Sequence, residues 1–237
     1  MGTTTNRVTH FHELKLNQAP HFSENLKTSS STRKALKEMK KDKRPLQFSS
    51  PLYTPLTPKL LSIVHPSKYN PKGGLFGEKV RNQGTRPHWG LDIKADIGTG
   101  VRSAEDGVVV RAYQSTTYGN AIFINHRDNY QTRYTHLNSM ESIQVKVGDI
   151  VKKGQLIGES GKTGNANSPH TLPHLHFEIR KLKANATPEA IENHHSTPVD
   201  PLPLITQPKE AFNNSQFSLE GPHSAYKNWT LLTEGQQ

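Results

Sequence analysis

The chain has 237 residues and a mass of 26.5 kDa; 32% of residues are hydrophobic, 7% are aromatic, and mean hydropathy is -0.74. So dilute an apolar content predicts a core confined to part of the chain, and the lack of any apolar run of about 18 residues excludes a conventional membrane-spanning helix. Zero cysteines exclude disulfides, thiolate metal sites, iron–sulfur clusters and a cysteine nucleophile, while 30 Lys and Arg against 20 Asp and Glu leave a net charge of +10 that attracts anionic polymers.

Residues 1–70 read as a basic, polar extension of low hydrophobicity. Met1-Gly2-Thr3-Thr4-Thr5 lacks the basic-then-apolar pattern of a secretory signal, and Asn6 breaks the myristoylation pattern that Gly2 begins. Further on, Ser29-Ser30-Ser31-Thr32 precedes Arg33, Lys34, Lys37, Lys40, Lys41, Lys43 and Arg44. The hydroxyl cluster can cap a short helix that Pro45 stops. No aromatic residues interleave with these charges, so specific nucleic-acid reading is not expected.

Residues 71–205 change texture, with short apolar runs punctuated by Gly, Asp-Gly or Asn. That pattern predicts a compact, all-β, antiparallel domain without a long helix. The expected strands are 90–93, 107–113, 121–126, 130–136, 142–145, 155–159 and 175–180. Asp106-Gly107 and Gly148-Asp149 mark turns, and Arg127-Asp128-Asn129 can close a hairpin. Lys181 to Thr197 looks variable, Pro198-Val199-Asp200-Pro201 suits a chain leaving the domain, and residues 206–237 form a polar, irregular tail. Three glycosylation-type triplets, at Asn185, Asn214 and Asn228, are read as chance matches.

The most informative segment is Pro173-His174-Leu175-His176-Phe177-Glu178-Ile179. On a strand, His174 and His176 project from one face about 6.5–7 Å apart, while Leu175, Phe177 and Ile179 face a core. Two imidazoles on one face can form a metal or catalytic pair. In His88-Trp89-Gly90-Leu91-Asp92, an imidazole and a carboxylate four residues apart at a strand entry can likewise reach one face. Catalytic zinc takes three nitrogen or oxygen ligands and keeps one position open, so His88, Asp92 and either His174 or His176 would complete a site. His136, in Tyr134-Thr135-His136-Leu137, lies at a strand end. His126 reads as structural or supporting, and His170, His194 and His195 as surface residues.

Two look-alike motifs are set aside. Gly158-Glu159-Ser160-Gly161-Lys162-Thr163 imitates a phosphate-binding loop but has Leu156 where the pattern requires glycine. The paired turns of Val147 to Ile157 also occur in biotinyl and lipoyl carrier domains, and Asp92-Ile93-Lys94-Ala95 imitates a carrier lysine's neighbourhood without the hairpin tip it needs.

In order along the chain, His88-x-x-x-Asp92, Gly98-Thr99-Gly100-Val101, Asp106-Gly107-Val108-Val109, Thr132 to Leu137, Val147-Gly148-Asp149, Gly154 to Gly158, Thr163-Gly164 and Pro173 to Glu178 resemble the M23 zinc endopeptidases of the lysostaphin and LytM class. The resemblance spans Gly73 to Leu204. It implies an antiparallel β fold with a groove over one sheet, one zinc ion held by His88, Asp92 and His176, and catalytic roles for His136 and His174. His174 is the first choice as general base and His136 as hydrogen-bond donor to the oxyanion, with the roles exchangeable. The implied substrates are peptide crosslinks of peptidoglycan; the alternative is a wall-binding or autoinhibited protein of the same fold. A wall hydrolase without a Sec signal is expected to reach the wall or periplasm by dedicated export, injection or lysis, as an antibacterial effector or phage-type lysin, with secretion machinery or an immunity protein as partners. Against the family pattern, the loop Asn165 to Leu172 is longer, which is expected to reshape the groove.

Overall fold

Alternating side chains over the middle of the chain build an antiparallel sheet buried on both faces at its centre. The computed structural model describes residues 30–52, 64, 73–78, 86–183 and 195–206. Helix α1 (Ser30–Lys41) ends with Lys40 and Lys41, cations suited to the negative end of its dipole, and stops short of Pro45. Arg127 ties the following segment to the domain by donating from Nη1 to the carbonyls of Asp42 and Arg44.

The strands are β1 (Phe48–Ser49), β2 (Leu91–Lys94), β3 (Gly100–Arg102), β4 (Gly107–Ser115), β5 (Gly119–Asn125), β6 (Tyr130–Leu137), β7 (Ile150–Val151), β8 (Leu156–Glu159), β9 (His174–Leu182), β10 (Ser196–Val199) and β11 (Ile205–Thr206). The main sheet runs β10-β9-β6-β5-β4-β7, and β2 joins it by pairing with β9. Each pairing within it is antiparallel. Strand β9 is the hub: β6 lies along one edge, while β2 and β10 divide the other. The expected all-β architecture is borne out.

One expected strand is not. Ser142 to Val145 is a turn followed by irregular chain, although Val145 is buried and Ile143 packs on the core. Ser139 and Ser142 exchange side-chain hydrogen bonds with each other's backbone N–H, offering the chain a local alternative to a ladder. Apolar alternation was real there, but the backbone bonds go elsewhere.

Leu91, Ile93, Ile122, Ile124, Tyr134, Leu175, Phe177 and Ile179 form the main core on one face of the sheet. A smaller cluster of Val110, Ala121 and Phe123 forms separately. Residues 48–52 and 64, within the segment read as an extension, join the fold: Phe48, Leu52 and Val64 are buried, and β1 pairs in parallel with β11. Fully burying one phenylalanine contributes about 1.5–3 kcal/mol, which offsets part of the entropy of ordering this otherwise polar segment on the domain. Residues 1–29 and 207–237, with the tail readings that fall on them, lie outside the described residues, as does His194.

Candidate metal centre

The polar face of β9 carries His174, His176, Glu178 and Arg180, all buried. Burial of four such side chains requires that each be paired, and the pairs define the site. The antiparallel register sets Asp92 of β2 directly opposite His176, with Lys94 opposite His174. Asp92 Oδ1 thereby lies 2.7 Å from His176 Nδ1 but 3.8 Å from His174 Nε2. His88 reaches the same point from the segment entering β2, with Nε2 3.1 Å from Asp92 Oδ1 and 3.0 Å from His176 Nδ1. Gly90 permits this approach, because a Cβ there would meet the Phe177 carbonyl oxygen at 2.5 Å.

Tautomers decide what the three donor atoms can do. His88 Nδ1–H donates to the Leu75 carbonyl at 3.0 Å, and His176 Nε2–H donates to Glu178 Oε1 at 3.1 Å. In its neutral form each ring therefore presents its other nitrogen as a lone pair toward Asp92, whereas a proton on His176 occupies that position otherwise. Two imidazole lone pairs and a carboxylate oxygen within about 3 Å of one another repel unless a cation lies among them. Metal–ligand arms of about 2.0–2.2 Å at tetrahedral angles separate the ligand atoms by roughly 3.3–3.5 Å, close to the spacing found here. His88, Asp92 and His176 can hold a metal ion.

Local electrostatics agree. Burial opposes charge on Asp92, but its hydrogen bonds with His176 and His88 outweigh that cost and hold its carboxyl well below the usual range. For His176 burial works against a proton, yet Asp92 and Glu178 prevail and raise it to about 9. The position thus favours positive charge.

His136 and His174 complete the cluster, with ring centroids 5.1 Å apart. His174 Nδ1–H donates to the Leu172 carbonyl at 2.7 Å and His136 Nδ1–H to the Thr163 carbonyl at 2.9 Å, so both offer an Nε2 lone pair. His136 sits at the end of β6 with φ of 60°, a left-handed conformation costly for a residue bearing Cβ. Its N–H donates to the Tyr118 carbonyl at 2.8 Å, which helps hold that bend. Burial first, then the neighbouring His176 and His174, lower its pKa to about 3.

All five expected site residues line a single cleft of about 200 Å³. His126 is elsewhere, buried with both nitrogens satisfied by the Asp106 carbonyl and Thr132 Oγ1. His170 is exposed. The long loop contributes Asn165, Ala166 and Thr171 to the cleft wall. Glu178, Arg86 and Trp89 also line it, and motif reading gave none of them a role. For Glu178 the signal was present, since it lies two residues beyond His176 on the same strand face. Its carboxylate receives Arg180 Nη1 at 2.7 Å and faces Arg133 Nη1 at 3.8 Å across β6. Burial opposes its charge, but the His176 hydrogen bond and both guanidiniums bring the carboxyl down to about 2.

A buried His, Asp and His set on an antiparallel sheet, flanked by two more imidazoles, is a candidate metal centre of nitrogen and oxygen ligands. Residues 86–201 match the family described as Peptidase family M23. The chain is 36% identical over 134 residues to an uncharacterized metalloprotease of Buchnera aphidicola, covering 56% of this chain and 31% of that protein. It is 45% identical over 93 residues to the peptidoglycan DD-endopeptidase ShyA of Vibrio cholerae, covering 39% and 20%. Among solved structures, the catalytic domain of the antimicrobial peptidase lysostaphin from Staphylococcus simulans is 33% identical, with 56% and 88% covered and a TM-score of 0.44. The chain belongs to peptidase family M23. It spans about a third or less of the two curated relatives named here.

Proposed function

We propose that this protein is a zinc-dependent endopeptidase that hydrolyses peptide crosslinks of peptidoglycan, with His88, Asp92 and His176 as ligands. The observation that carries this reading is the convergence of three ligand atoms beside two further imidazoles, His136 and His174, each oriented by an Nδ1 bond to a backbone carbonyl. Two imidazoles and one carboxylate, without thiolate, suit zinc. Bound there, zinc supplies a Lewis acid for the scissile carbonyl and lowers the pKa of water toward neutrality.

The chain's own residues then manage protons. His174, oriented by the Leu172 carbonyl, accepts the proton of the attacking water at Nε2 and can return it to the leaving amine. His136 has committed its Nδ1–H to Thr163, so it is an acceptor at Nε2 until it gains a proton. As a donor to a developing oxyanion it must be protonated, and burial resists that in the resting protein. Sequence similarity to a peptidoglycan DD-endopeptidase supports the substrate class, and the net charge of +10 supports attraction to anionic wall polymers.

The test is mass spectrometry of muropeptides after zinc-loaded protein has acted on purified peptidoglycan, with His174→Ala as the blank. Loss of crosslinked dimers with new peptide ends is expected. Intact dimers despite bound zinc would overturn the reading.

A further inference from the structure

Arg86 is the only lysine or arginine among the described residues lining the metal cleft. The buried guanidiniums nearby are engaged: Arg180 is bonded to Glu178 and Ser196, and Arg133 to Gln131 while facing Glu178. Arg86 differs. Its Nε is buried and has no hydrogen-bond partner, and among the described residues no carboxylate pairs with it. Its Cζ lies 5.0 Å from the centroid of the Trp89 ring, which shares the cleft wall.

A guanidinium is planar, permanently charged and shaped to receive a carboxylate through two parallel N–H bonds. An aromatic ring beside it limits its rotamers without consuming its donors. Position supplies the remaining constraint. Arg86 precedes His88 by two residues in a segment lining the same cleft, so an anion it holds lies within about one residue of the bond presented to the metal cluster.

Resting on the peptidase reading, we propose that Arg86 is a specificity-determining residue that binds a free carboxylate of the substrate peptide adjoining the scissile amide. The substrate class is then a crosslink that carries a free carboxylate on a residue adjoining the scissile amide, in preference to a bridge of uncharged residues. Charge within the cleft fits this division of labour. Asp92 and Glu178 are committed to histidines and arginines, which leaves Arg86 as the cation open to an incoming anion.

The experiment compares two synthetic crosslinked peptides, one with a free carboxylate on a residue adjoining the scissile amide and one with that group converted to a carboxamide. Hydrolysis is measured for wild-type, Arg86→Gln and Arg86→Lys proteins, and binding for the zinc-loaded His136→Ala protein with and without Arg86→Gln. Wild type should favour the carboxylate peptide by roughly 10–100-fold in kcat/KM, the size of a charge-assisted hydrogen bond. Arg86→Gln should erase that preference by lowering kcat/KM for the carboxylate peptide more than for the carboxamide peptide, and Arg86→Lys should keep part of it. Equal rates for the two peptides in wild type, or an equal fall on both in Arg86→Gln, would overturn the assignment. If neither peptide is hydrolysed by the zinc-loaded wild type, the peptidase reading fails, whereas a carboxylate preference in binding, lost in Arg86→Gln, still supports Arg86.

Discussion

His126 and the histidines of the metal cleft are equally buried, yet they are built for opposite purposes. At His126 both ring nitrogens have partners, the Asp106 carbonyl and Thr132 Oγ1, and the ring packs edge-on to Phe48. In the cleft each of His88, His136, His174 and His176 gives one nitrogen to a carbonyl or carboxylate of the scaffold and turns the other toward a common space. Burial alone therefore does not mark a functional histidine. The nitrogen turned toward a shared cleft does.

The strongest way to break this contrast is to remove a ligand. His88→Ala, Asp92→Ala or His176→Ala should abolish zinc retention and wall hydrolysis together, measured by metal analysis and muropeptide release. A ligand variant that still hydrolysed wall at the wild-type rate would refute the metal assignment. Next, His174→Ala or His136→Ala should reduce activity by about 10²–10⁴-fold with zinc content unchanged, because a proton-transfer group is lost and the ligand set is not.

His126 makes the opposite prediction, in stability rather than activity. Burial lowers its pKa from 6.5 to about 4 in the folded protein. As pH falls through 6.5, the unfolded chain binds a proton that the folded chain refuses until about pH 4. This group's contribution is thus complete above pH 6.5 and lost on acidification. It amounts to roughly 3 kcal/mol by pH 4. Denaturant unfolding between pH 7 and 4 should show that slope, and His126→Gln should reduce it without altering zinc content.

The smallest effect concerns orientation. Glu178→Gln keeps the shape of the carboxylate but weakens its hold on His176 Nε2–H, and zinc affinity should fall about 10–100-fold in a chelator competition. An unchanged affinity would assign Glu178 to neutralising Arg133 and Arg180 only.

Much of this was legible in the chain itself. Residues alternating along 174–180 announce a strand with an apolar and a polar face, because side-chain direction is a local property of two-residue period. The turns at Asp106-Gly107 and Gly148-Asp149, and the His88 and Asp92 pair at a strand entry, are local in the same sense. Ser142 to Val145 misled for the complementary reason: its alternation was genuine, but serine side chains took the backbone bonds. Phe48, Leu52 and Val64 were hidden because isolated apolar residues in a polar stretch show no period.

Which histidine of the β9 pair joins His88 and Asp92 was not a local question. His174 and His176 share a face, so their spacing treats them alike, and only the β2–β9 register, which sets Asp92 opposite His176, separates them. The same holds for the bend that turns His136 inward, for the buried Glu178 network and for Arg86 with its unpartnered Nε. Sequence determined the elements and the chemical groups available, since those depend on neighbours along the chain. Tertiary structure decided which groups meet and which nitrogen of each ring faces the cleft, since those depend on hydrogen bonds between residues far apart in sequence.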